Sequence, residues 1–81
     1  MPIYTEEERR RARQVCEKEI NRIREAQTSE QVNERGWLAL GYIQAVYALE
    51  AVKVGEHCQL IKELAATEVQ SLIKLRETKG Q

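Results

Sequence analysis

Apolar residues recur along this chain in three segments with different habits. In the first, Ala12, Val15, Cys16, Ile20, Ile23 and Ala26 follow one another at intervals of three and four, and the positions between them are charged or amide. That spacing puts one apolar stripe on one face of an α-helix, predicted over residues 6–26. The second segment is different. From Val32 onward it carries Trp37, Leu38, Ala39, Leu40, Tyr42, Ile43, Ala45, Val46, Tyr47, Ala48, Leu49, Ala51, Val52 and Val54. Apolar side chains on almost every face are the pattern of a helix surrounded by protein, predicted over 30–54. The third segment, predicted over 57–77, returns to amphipathic form. Leu60, Ile61, Leu64, Ala65, Val69, Leu72, Ile73 and Leu75 share one broad side, opposite Lys62, Glu63, Glu68, Gln70 and Lys74.

The helix ends are partly marked. Thr5 followed by Glu8 is a capping-box pattern, in which hydroxyl and carboxylate satisfy otherwise unpaired backbone N–H groups, and Glu6 to Glu8 suit the positive end of the helix dipole. Thr28 or Ser29 caps the second helix, with Gln31 completing a box from Thr28. The short connection makes helices one and two antiparallel neighbours.

The third junction has no such marker. Gly55 either turns the chain or lies within one helix running through residues 30–77, a rod of roughly 70 Å at 1.5 Å per residue. In favour of the rod, Ile43, Tyr47, Ala51, Val54, Cys58, Ile61, Ala65, Val69 and Leu72 stay in phase across the glycine, and no Ser, Thr, Asn or Asp follows it as a cap. In favour of a turn, glycine is the commonest residue just past a helix end, and a break yields three segments of similar length. The expectation is an all-α protein, a small antiparallel bundle of three helices. The alternative is two helices, the second continuous through Gly55. Residues 1–81 form a single helical domain, with a tail 78–81 that lacks apolar content and frays.

Composition agrees with helix. All thirteen acidic residues are Glu, Phe is absent, and the one Pro is at position 2. Asp and Pro favour turns and helix ends, whereas Glu, Arg, Lys, Leu, Ala and Gln favour helix interiors. Thirteen basic residues balance the acids, giving a net charge of +0. That removes the simplest argument for nucleic acid or an anionic membrane as partner. The uncharged run Gly36 to Leu49 falls short of the about 20 apolar residues that a membrane-spanning helix needs. Cys16 and Cys58 make no disulfide framework, and MPIYTEEERRR has no apolar leader region, so a reducing, cytoplasmic location is expected.

Candidate chemistry is sparse. His57 beside Cys58, with Cys16 elsewhere, falls short of a zinc site, which needs about four ligands in spacings that bring them together. Neighbours on a helix also point about 100° apart, too far for a Cys–His nucleophile pair. The two cysteines read as small apolar members of the stripes, and His57 as a surface or turn residue. Glu50 reads as marking a solvent strip of helix two, or as a partner for Lys53 or an arginine of helix one. No phosphate loop, nucleophile elbow or paired-acid motif appears, so no catalytic residue, cofactor or metal is expected.

What remains is surface. Helix two has a small-residue ridge, Gly41, Ala45, Ala48 and Gly55, and a bulkier ridge, Leu40, Ile43, Tyr47, Ala51 and Val54. A one-faced helix one covers only one of these, and an uncovered apolar face of that size marks an association surface. Trp37, Leu40, Gly41, Tyr42, Ala45, Tyr47 and Ala48 are the expected interface, with itself or with a partner, Trp and Tyr being favoured anchors. A two-fold homodimer is the least demanding arrangement. The expected function is a non-enzymatic protein–protein interaction module, a small dimeric regulator or inhibitor of a partner protein. The alternative is a nucleic-acid-binding regulator using Arg9, Arg10, Arg11 and Arg13, although Glu6, Glu7 and Glu8 directly precede them and neutralise much of their field.

Overall fold

The structure is a computed structural model and describes residues 4–79, with the side chains of 4–77. Thr5 opens α1 (Glu6–Arg24) with a complete capping box. Its Oγ1 accepts from the Glu8 N–H at 3.1 Å, and Glu8 Oε1 accepts from the Thr5 N–H at 2.9 Å. The helix closes two residues earlier than its stripe suggests, by tightening into Glu25 N–H to Arg22 O and Ala26 N–H to Ile23 O bonds of 3.2 and 3.1 Å. Arg35 of the next helix also donates to Arg22 O at 2.7 Å, so the end of one helix is capped by the start of its neighbour.

Thr28 caps α2 (Ser29–Ala48), accepting from the Gln31 N–H at 3.1 Å. The Gln31 side chain reaches one residue past the cap, to the Gln27 N–H at 2.8 Å. The expected boundary at 54 is wrong by six residues. The Glu50 N–H bonds Tyr47 O at 3.0 Å and the Ala51 N–H bonds Val46 O at 2.9 Å, the paired bonds of a Schellman ending. Glu50 occupies the left-handed position with φ 62°, where glycine is usual. Ala51 and Val52 then turn inward and are buried.

α3 (Val54–Lys79) starts three residues before the expected 57 and ends two after 77. Its first turn is capped without a hydroxyl: the Lys53 N–H donates to Glu56 Oε1 at 3.0 Å. Gly55 therefore neither turns the chain nor bridges a rod. It lies within the first turn of α3 with no positive φ, and open space surrounds the position a Cβ would take. Gly80 and Gln81, part of the tail expected to fray, lie outside the described residues.

The three helices pack against one another in a bundle. Cys16, Ile20 and Ile23 of α1, Val32, Ala39 and Ile43 of α2, and Leu60 and Leu64 of α3 form its core. Leu40, Val46, Ile61, Leu75 and Ala26 pack around them, while Val15, assigned to the stripe, is half exposed. Gly36 of α2 faces the Glu68 side chain of α3: a Cβ there would lie 2.7 Å from Glu68 Oε2.

α3 turns a different side inward than its apolar pattern suggests. Thr67 and Ser71 are buried, whereas Val69 and Ile73 are 56% and 50% exposed and Leu72 and Ala65 also face outward. Arg24 of α1 compensates by donating to Thr67 Oγ1 at 3.4 Å. Among the described residues no fully buried side-chain polar atom lacks a partner.

Candidate interaction surface

The bulky ridge of α2 is spent on the bundle: Ile43 is fully buried and Leu40 half-buried. The opposite side of the helix therefore faces outward. Trp37, Gly41, Ala45 and Ala48 stand at intervals of four, four and three, one above another on that side, and all are exposed. Trp37 is 74% exposed and Leu38 54%, with Tyr42 and Leu49 also uncovered. Trp37, Leu38, Gly41, Tyr42 and Ala45 line an open depression of about 330 Å³. No charged residue occurs from Gly36 to Leu49.

Around the edge of α2, Trp37 leads into the groove against α3. Asn33, Gly36, Trp37, Leu40, Leu64 and Glu68 enclose about 280 Å³ there. Further along α3, Val69, Leu72, Ile73 and Arg76 line another depression of about 390 Å³. Apolar surface thus spans the outside of two helices.

Of the expected interface residues, Trp37, Gly41, Tyr42, Ala45 and Ala48 are brought together on this face. Leu40 sits at its edge, in the groove. Tyr47 is set apart: its ring stacks on His57 with centroids 4.1 Å apart and 24° between planes. His57 Nε2 lies 2.9 Å from Gln44 Oε1, a hydrogen bond in the tautomer that carries the proton on Nε2. This cluster clamps the start of α3 to the end of α2, which assigns His57 a structural contact. Gly55, placed by sequence on the small ridge, belongs to α3 instead, and Ala51 and Val54 of the bulky ridge fall outside α2.

The exposed Leu38, Leu49, Val69, Leu72 and Ile73 were not among the expected interface residues. For α3 the usable signal was the phase of Leu60, Leu64, Thr67 and Ser71, which recur on one helical side with two small hydroxyls among them. Periodicity alone ranks Val69 and Ile73 above Thr67 and Ser71 for the interior, and so selects the wrong side.

The arginines of α1 are mostly engaged. Arg10 pairs with Glu7, and Arg11 Nε lies 3.5 Å from the same carboxylate. Arg13 reaches across to Glu56 of α3 at 3.0 Å. Arg9 is half-buried. Cys58 is exposed, against the expectation that it joins an apolar stripe, and Cys16 is buried. Burial pushes the Cys16 thiol above its ordinary value, with Glu17 and Glu19 adding to the shift, which is the opposite of what a nucleophile needs. Among the described residues no three His, Cys, Asp or Glu side chains gather as a metal site, and no helix is long and apolar enough to cross a membrane. No family model, curated protein or solved structure matches the chain.

Proposed function

We propose that this protein is a non-enzymatic interaction module, a small helical regulator or inhibitor that works in the cytoplasm by covering a surface of a partner protein. One observation carries the reading: a tryptophan that is 74% exposed stands on a helix face with no charge over more than three turns. Surface tryptophan surrounded by apolar side chains is typical of binding anchors, and most of this side chain lies outside the bundle core. The cytoplasmic placement is supported by two free cysteines, one of them exposed. The nucleic-acid alternative has less support, because Arg10, Arg11 and Arg13 already face carboxylates.

Affinity capture from the source cells with wild type, Trp37→Glu and Ile73→Glu tests the reading. The expected result is a captured protein that one or both variants lose. Identical captured sets for all three chains would refute it.

A further inference from the structure

We infer that the first occupant of the α2 face is a second copy of this chain, packed antiparallel about a two-fold axis between Gly41 and Ala45. The inference rests on the interaction reading and names the partner of that surface.

Area is the first argument. A folded monomer of 9.4 kDa exposes about 5,000 Å² by the usual scaling, whereas this chain exposes 6031 Å². The elongated outline, 56 × 17 × 17 Å, accounts for part of the excess of about 1,000 Å². The exposed Trp37, Leu38 and Tyr42 belong to this accessible surface, and a standard interface takes about 800 Å² from each partner.

Charge is the second. A two-fold axis sets like groups close to like, so a charged residue near it meets its own copy. The run Gly36 to Leu49 contains none, which leaves the face compatible with itself.

Shape is the third, and it selects the direction. The stripe runs from large to small: Trp37, then Gly41, Ala45 and Ala48. A parallel pair would set indole on indole and leave the alanines facing a gap. An antiparallel pair that seats Trp37 over the partner's Ala48 also brings Gly41 opposite the partner's Ala45, where two small residues permit a close crossing. The depression lined by Trp37, Leu38, Gly41, Tyr42 and Ala45 is open rather than enclosed, so a second helix can lie along it. The α3 strip of Val69, Leu72 and Ile73 stays outside this contact.

Light scattering after gel filtration at tens of micromolar gives the mass. Wild type is expected at twice 9.4 kDa. Trp37→Glu and Ala45→Glu, both at exposed positions, are expected as monomers with unchanged helical circular dichroism. Direction is read by mild oxidation in a Cys58→Ser background. Mixed Gly41→Cys and Ala45→Cys chains are expected to cross-link to each other in preference to themselves, whereas a parallel pair would give self-linked products. A monomeric wild type, a dimer that survives both glutamates, or self-linking would each overturn the inference. If wild type is monomeric while Trp37→Glu still loses a captured protein, the interaction reading stands and only the second copy fails.

Discussion

Helices α1 and α2 contribute similar numbers of residues to one core and differ in what they show outside. The outward side of α1 is a solvated ladder in which Glu7 holds Arg10 and Arg11. Such exposed pairs add little stability, typically below about 1 kcal/mol, but they keep the surface wet. The outward side of α2 shows Trp37, Leu38, Tyr42 and Leu49. A three-helix bundle needs one stripe per helix, and α1 supplies no more than that. The surplus on α2 has no counterpart on α1, and it is the surface that the proposed association would cover.

The sharpest way to break the comparison is to remove one apolar side chain from each helix. Ile23 of α1 is fully buried, and Ile23→Ala is expected to lower stability by about 3 kcal/mol, from lost transfer energy and the cavity left behind. Trp37 is the larger side chain, yet Trp37→Ala should change monomer stability by less than about 0.5 kcal/mol, because its ring is already in water. Urea unfolding at concentrations low enough to keep both chains monomeric measures the pair. Equal losses would mean that Trp37 belongs to the core and that the contrast between the helices is false.

The second contrast is between their ends. α1 closes through ordinary right-handed geometry, whereas α2 forces Glu50 into the left-handed region. That conformation costs a non-glycine residue about 1–2 kcal/mol, and glycine returns part of the gain through greater freedom in the unfolded chain. Glu50→Gly is therefore expected to stabilise by about 1 kcal/mol, seen as a rise in melting temperature. An unchanged or lower value would show that the carboxylate compensates for the strain through contacts of its own.

The same ending explains what was legible in the sequence. The caps at Thr5 and Thr28 could be read because their chemistry is local: a hydroxyl and a long polar side chain three residues apart. The break after Ala48 could not. Its left-handed residue is a glutamate, and Ala51 and Val52 behind it are buried by tertiary packing while looking like more helix. A real glycine, Gly55, stands just beyond and draws attention to the wrong place. On the surface, Trp37, Gly41, Ala45 and Ala48 could be placed because α2 is apolar all round and two neighbours cannot cover it. The strip on α3 was missed because α3 turns Thr67 and Ser71 inward, and the Thr67 hydroxyl finds its partner in Arg24 of another helix, which periodicity cannot show.

A smaller effect separates the two faces of α2 itself. Gly41 looks into open space, so Gly41→Ala should add up to about 1 kcal/mol to the monomer through helix propensity. Gly36→Ala should yield less, since its new methyl lies within 3.0 Å of the Glu68 carboxyl group, which must swing aside. Thermal melts of the two variants at one low concentration compare them directly. A larger gain at Gly36 would show that the Glu68 side chain moves aside freely and that the two faces of α2 do not differ in this respect.

The smallest contrast is between the two N-terminal caps, and acid should reveal it. At α1 the partner of the Thr5 N–H is a carboxylate; at α2 the Gln27 N–H is held by the Gln31 amide, which does not titrate. Hydrogen bonds from the Thr5 backbone and hydroxyl hold the Glu8 carboxyl below the ordinary carboxylate value, with Arg11 helping. A carboxylate depressed in the folded state stabilises above its unfolded pKa, and that contribution fades as pH falls through the lower folded value. Amide hydrogen exchange should therefore accelerate in the first turn of α1 as the solution is taken below the normal glutamate range, while the first turn of α2 stays protected. Glu8→Gln should remove the pH dependence and leave an amide in the same box. Equal acid sensitivity at both caps would mean that the loss comes from the whole bundle rather than from Glu8.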